Sequence, residues 1–233
     1  MLHCKVQATE RRPAGAGAAN AAAPGTVRGV EEIMTASGPA HVLLDQPEHP
    51  AFLAVLTHGA GGTPDTGDIL AVRDAARALG AATALVTQPY RVRGGRAPGA
   101  APKQDAAWIE LVGVLRRRTT PAGPLPLVQC GRSNGARVAC RTAPAVDAAG
   151  VIALAFPLHP PGQPAKSRDP ELRGAGTSVL VINGDRDPFG VPGPDERTTV
   201  VVLAGETHSL AKHPAAVGAA VTDWLNALFP RMK

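Results

Sequence analysis

Residues 125–139 read LPLVQCGRSNGARVA, and this stretch decides the fold. An apolar run (Leu125, Leu127, Val128) leads to Cys130. Gly131-Arg132-Ser133-Asn134-Gly135 then opens a segment able to form a helix. This is G-x-S-x-G between a buried strand and a helix, the setting of a nucleophile elbow. So tight a turn holds Ser133 at strained backbone angles and pushes its hydroxyl outward. Gly131 and Gly135 flank it because side chains there would collide with the adjoining strand and helix. A serine before a helix can also serve as an N-cap, but the paired glycines and the preceding strand favour a nucleophile.

The segments on either side alternate between strand and helix. Val30–Met34 and His41–Leu44, separated by Ser37-Gly38-Pro39, are predicted as an opening pair of strands. Ala51–Leu56 is continuously apolar, as a strand buried on both faces must be. Further strands are predicted at Ala82–Val86, Val151–Ala155, Val179–Ile182 and Thr199–Leu203. Helices are predicted at Asp65–Leu79, Asp105–Arg118, Gly135–Thr142 and Pro214–Phe229, the last with Val217, Val221, Trp224, Leu225 and Leu228 at helical spacing. The stretches Gln88–Pro102 and Phe156–Arg173 read as long loops. Such alternation implies an α/β fold, a mainly parallel sheet with helices on both faces and no room for a large lid.

With 233 residues the chain fits one folded domain, taken as 27–233, after an Ala/Gly/Pro-rich flexible tail at 1–26. The three cysteines, Cys4, Cys130 and Cys140, match no zinc or redox spacing and read as reduced thiols of a cytoplasmic protein. No apolar run is long enough to span a membrane, and the first residues lack the apolar core of a signal peptide. Net charge is +5 and the pI about 9.6. Aromatic residues make up only 3%, too few for the stacking platforms of a nucleic-acid binder. The expected partner is therefore a small molecule, with no nucleic acid and no membrane. Metal-ligand spacing, a P-loop and a dinucleotide fingerprint are all missing, so no cofactor or metal is expected.

In parallel sheets, functional residues gather at the carboxyl ends of strands. Four stretches here follow predicted strand ends: Thr57-His58-Gly59-Ala60-Gly61-Gly62, Ser133, Asp187 and His208. A serine hydroxyl is a poor nucleophile until an imidazole takes its proton, and a carboxylate orients that imidazole and steadies its charge. The order Ser133…Asp187…His208 is that of the α/β-hydrolase arrangement. Asp185 competes with Asp187, whose place before Pro188 favours it. His213 and His159 compete with His208, which directly follows the last strand. His58 is assigned a structural role. The glycines at 59, 61 and 62 let the backbone approach a reacting group, and the expected oxyanion donors are the N–H groups of Asn134 and Ala60. One such donor is worth about 3 kcal/mol of barrier.

Longer stretches bear a resemblance. THGAGG at 57–62, CGRSNGARVA at 130–139, FPLHPPGQP at 156–164, INGDRDPFG at 182–190 and THSL at 207–210 resemble the α/β-hydrolase superfamily. Within it they look like the dienelactone-hydrolase-like branch that contains a testis-expressed hydrolase-like protein and a subunit of a histone-acetylating complex. The resemblance implies Ser133 as nucleophile, Asp187 as acid and His208 as base. It implies a serine hydrolase acting on a small ester, thioester or lactone through an acyl-serine. It also implies an alternative, since some members of the branch look like scaffolds: a catalytically inactive hydrolase-fold binding protein. Arg91, Arg93 and Arg132 lie close to these positions, where a cationic rim would draw an anionic acyl substrate. Solvated loop arginines are the plainer interpretation.

Overall fold

In a computed structural model the chain is described over residues 26–119 and 123–230; of the tail expected at 1–26, residues 1–25 lie outside these residues, and Thr26 is the first residue of a strand. Eight strands form one sheet: β1 (Thr26–Thr35), β2 (Gly38–Gln46), β3 (Leu53–Thr57), β4 (Ala82–Thr87), β5 (Leu127–Arg132), β6 (Gly150–Leu154), β7 (Ser178–Gly184) and β8 (Thr198–Leu203). Their spatial order is β1-β2-β4-β3-β5-β6-β7-β8. β1 and β2 form an antiparallel hairpin turned at Ala36-Ser37, and β2 joins β4 antiparallel. All pairings from β4 to β8 are parallel. β3 and β6 are buried at every position, which explains the apolar runs Leu53–Leu56 and Val151–Leu154 within them.

Helices cover both faces. α1 (Gly67–Ala78) and α6 (Pro214–Leu228) bury Ile69, Val72, Val217, Val221 and Leu225 against one side. On the other side, α3 (Ala101–Thr119) and α4 (Asn134–Thr142) contribute Trp108, Leu111, Val112, Leu115 and Val138. Each such side chain removed from water contributes about 1.5–3 kcal/mol. Two short helices, α2 (Pro89–Val92) and α5 (Asp169–Arg173), lie in the stretches predicted as loops. Both begin with a proline in the first helical turn, where its fixed φ suits a helix and its missing N–H costs nothing. They are too short for hydrophobic periodicity to reveal.

Arginine–carboxylate pairs lace the outer layer. Arg137 meets Glu171 through two contacts of 2.6 and 2.8 Å. Arg141 forks onto Asp105 at 2.7 and 2.8 Å and touches Glu171 at 3.1 Å. These bonds tie α4 to α3 and α5, the helices beside the elbow. Burial opposes ionisation of Glu171, but its bonds and charge contacts with Arg137 and Arg141 prevail and hold its pKa below the usual value.

Candidate active site

Parallel strands bring the ends of β3, β5, β7 and β8 to one edge of the sheet. Ser133 follows β5 directly, at φ 52° and ψ −112°, left-handed backbone that a side chain adopts only under strain. The flanking glycines are sterically required. A Cβ on Gly131 would overlap the backbone of Gly135 and Ala136, and one on Gly135 would come within 2.6 Å of the His58 carbonyl oxygen. The strand–turn–helix therefore closes only with hydrogen at both positions.

His208 lies in the turn after β8. Its Nε2 is 2.8 Å from Ser133 Oγ, and its Nδ1 is 2.8 Å from Asp187 Oδ2. A carboxylate can only accept, so Nδ1 carries the hydrogen and Nε2 is left to take the serine proton. Asp187 is buried, and the Phe189 N–H donates to its Oδ1 at 2.9 Å. Asn183 Nδ2 reaches Asp187 Oδ2 at 3.3 Å while Asn183 Oδ1 accepts from the Phe156 N–H at 2.9 Å. The Phe189 ring covers His208 with centroids 4.3 Å apart. Of the competing residues, Asp185 accepts from Gly205 N–H at 2.8 Å, His159 pairs with the Pro160 carbonyl, and His213 precedes α6. None of these contacts the serine or the imidazole.

The loop after β3 passes beside the serine, where a Cβ on Gly59 would lie 3.3 Å from that of Ser133. Among the described residues no acceptor takes the N–H of Ala60 or of Asn134. Asn134 is the first residue of α4, where helical N–H groups have no partner within the helix. His58 holds the loop from below. It accepts the Gln88 N–H on Nε2 at 3.0 Å, and its Nδ1 donates to the Gly59 carbonyl at 2.8 Å. Burial lowers the His58 pKa and the nearby Arg91 charge adds to this, opposed in part by the Gly59 bond. Tyr90 donates to the Ala60 carbonyl at 3.0 Å, and burial raises its pKa to about 12.

The three arginines assigned to a substrate rim are engaged with the protein itself. Arg91 donates to the Gly62 and Gly95 carbonyls at 3.1 and 2.9 Å, and Arg93 to the Ser37 carbonyl. Arg132 turns inward. Its Nη2 donates to the His208 carbonyl at 2.8 Å, and its Nε lies 2.9 Å from Asp68 Oδ2, an ion pair without the alignment of a hydrogen bond. Glu206, fully buried, accepts the N–H groups of Lys212 and His213 at 2.6 and 2.8 Å and fixes the turn carrying His208.

Residues 50–217 match the family profile described as an alpha/beta hydrolase domain. The chain belongs to the alpha/beta hydrolase family. No curated protein matches its sequence. Among solved structures, this α/β-hydrolase is similar to an alpha-beta serine hydrolase homologue from Coxiella burnetii, with 16% identity and a TM-score of 0.66 over 86% of this chain and 98% of that one. Est1E from Butyrivibrio proteoclasticus shares 16% identity at a TM-score of 0.65, covering 88% and 100%. An a/b serine hydrolase without lid from Xanthomonas campestris shares 19% at 0.64, covering 88% and 95%. At such identities the likeness speaks for the fold. In this α/β-hydrolase no described helix is long and apolar enough to cross a membrane.

Gln104 accepts from the side-chain amide of Asn134 at 2.8 Å. Asn183, Phe189, Asp68, Glu206, Tyr90 and Gln104 were not legible as site residues. Only Asn183 and Phe189 carried a signal, as members of the INGDRDPFG stretch. The others act through contacts with segments remote in sequence.

Proposed function

We propose that the protein is a serine hydrolase that cleaves a small ester, thioester or lactone through an acyl-Ser133 intermediate. The unbroken chain Ser133 Oγ–His208 Nε2, His208 Nδ1–Asp187 Oδ2, with both links at 2.8 Å, carries this reading. His208 accepts the serine proton as Oγ attacks the acyl carbon, then gives it to the departing oxygen or sulfur. It next activates a water that releases the acid and restores the serine. Asp187 steadies the imidazolium, while the N–H groups of Ala60 and Asn134 face the developing oxyanion. Likeness to the dienelactone-hydrolase-like branch rests on the five stretches quoted above and favours compact substrates. Because the site arginines bind backbone carbonyls, nothing in this mechanism requires an anionic substrate.

The test is labelling with a fluorophosphonate probe together with turnover of p-nitrophenyl acetate. Wild type is expected to label and to hydrolyse the ester, and Ser133→Ala to do neither. Failure of the wild type to label would instead support the inactive scaffold.

A further inference from the structure

The loop after β3 is tied to the short helix α2. Tyr90, 8% exposed, directs its hydroxyl at two carbonyls of that loop, Ala60 at 3.0 Å and Gly59 at 3.3 Å. Among the described residues no other group donates to the Ala60 carbonyl. The Gly59 carbonyl also accepts from His58 Nδ1 at 2.8 Å and from the Gly62 N–H at 3.1 Å. α2 is itself anchored on both sides. Arg91 Nε donates to the Gly62 carbonyl at 3.1 Å, and the Gly95 N–H donates to the Tyr90 carbonyl at 2.8 Å.

These bonds bear on a group that none of them touches. The Gly59 carbonyl and the Ala60 N–H are the two ends of one trans peptide unit, and in a planar trans unit they point in opposite directions. Donors from His58, Gly62 and Tyr90 gather the carbonyl to one side, and the N–H is thereby turned to the other. The Tyr90 hydroxyl adds a second constraint. It draws the carbonyls on either side of the Ala60 Cα toward one point and so fixes both torsions of that residue. Gly59 and Gly61 impose little conformational preference of their own, so the aim of the Ala60 N–H depends on bonds from outside the loop. A Cβ on Gly59 would lie 3.3 Å from that of Ser133, and a small rotation of this peptide is therefore felt beside the serine. Burial raises the Tyr90 pKa to about 12, so the hydroxyl keeps the hydrogen it donates.

Resting on the serine-hydrolase reading, we infer that Tyr90 is a positioning residue. Its hydroxyl fixes the peptide whose N–H, at Ala60, meets the oxyanion formed when Ser133 attacks. It acts through the loop and not on the substrate. An oxyanion donor stabilises the transition state more than the ground state, so losing its aim lowers kcat and leaves KM nearly unchanged.

The experiment compares wild type with Tyr90→Phe, which removes one oxygen and keeps the buried ring. Hydrolysis of p-nitrophenyl acetate is expressed per serine labelled by a fluorophosphonate, so unfolded protein does not count as lost activity. Inhibition by phenylboronic acid, whose tetrahedral adduct with Ser133 places an oxygen at the oxyanion site, is measured alongside. In Tyr90→Phe, kcat is expected to fall about ten-fold with KM within two-fold, and the inhibition constant of the boronic acid to rise by a similar factor. If the variant does not fold, fluorine NMR of the wild type decides. Tyr90 is the chain's only tyrosine, so 3-fluorotyrosine reports on it alone. Its resonance is expected to shift when the boronic acid binds, and not in Ser133→Ala. An active wild type with kcat unchanged in Tyr90→Phe, a loss confined to KM, an unchanged inhibition constant or an unshifted resonance overturns the role of Tyr90 alone. A wild type that neither labels nor hydrolyses acetate overturns the serine-hydrolase reading and this role with it.

Discussion

Arg132 Nη2 donates to the carbonyl oxygen of His208 at 2.8 Å, across 76 residues of sequence. The residue just before Ser133 thus holds the backbone of His208, and Asp68, 1% exposed, balances the guanidinium charge from α1. Removing one partner of a buried ion pair typically costs about 3–5 kcal/mol, because the other charge is left alone. Arg132→Ala is expected to reduce kcat at least ten-fold with a smaller change in KM, because the imidazole loses its registration on the serine. Asp68→Asn should lower stability and reduce kcat in the same sense. Steady-state kinetics alongside thermal melts test this. Activity unchanged in a folded Arg132→Ala protein would show that the clamp does not position His208.

The elbow glycines give a sharper prediction. Gly131→Ala forces a Cβ into the backbone of Gly135, and Gly135→Ala forces one to 2.6 Å from the His58 carbonyl. Neither obstacle is a flexible side chain. Both variants are expected to lose soluble folded protein, or to fold with Ser133 displaced and unlabelled by a fluorophosphonate. Gly61→Ala, where a Cβ meets nothing within 4 Å, is the matched control for stability.

His58 predicts how stability depends on pH. Its folded pKa lies below 6.5, chiefly because of burial. Above 6.5 the ring is neutral in both states and its contribution is fully present. As pH falls from there toward the folded pKa, the unfolded chain takes up a proton that the folded one refuses. Stability then drops by up to about 1.4 kcal/mol per pH unit. Denaturant midpoints between pH 5 and 8 for wild type and His58→Gln should therefore converge on acidification. A constant difference would count against a neutral buried imidazole.

Cys130 and Cys140 are both fully buried, and burial raises the pKa of each thiol, that of Cys140 to about 12. The reactive thiolate is scarce under these conditions. In the native protein at pH 8 neither should react with a thiol reagent over minutes, and both should react at once in denaturant. Mass spectrometry of the labelled peptides checks this.

Glu206 is tested by Glu206→Gln, which keeps the shape of the side chain but weakens its acceptance of the Lys212 and His213 N–H groups. The variant is expected to melt lower and lose kcat, since the same turn carries His208. Full activity at a lowered melting temperature would separate the cap from the chemistry.

The amino-acid sequence by itself determined the succession of strands and helices and the α/β class, because hydrophobic periodicity is local and repeats within a few residues. It also singled out Ser133, since glycine on both sides of a serine between strand and helix has a steric cause that can be read in five letters. Asp187 and His208 could be selected as residues at strand ends. Their meeting with Ser133, however, depends on β5, β7 and β8 being parallel and ordered in one sheet. Only the tertiary structure decided which way side chains point. Arg132, Arg91 and Arg93 suggested a cationic rim when taken as charges, yet each is spent on a backbone carbonyl from another segment. The contact of Tyr90 with the Ala60 carbonyl was equally hidden, because it spans 30 residues and exists only when α2 packs beside the loop after β3. A side chain's partners are set by packing between distant segments, and no local pattern encodes them.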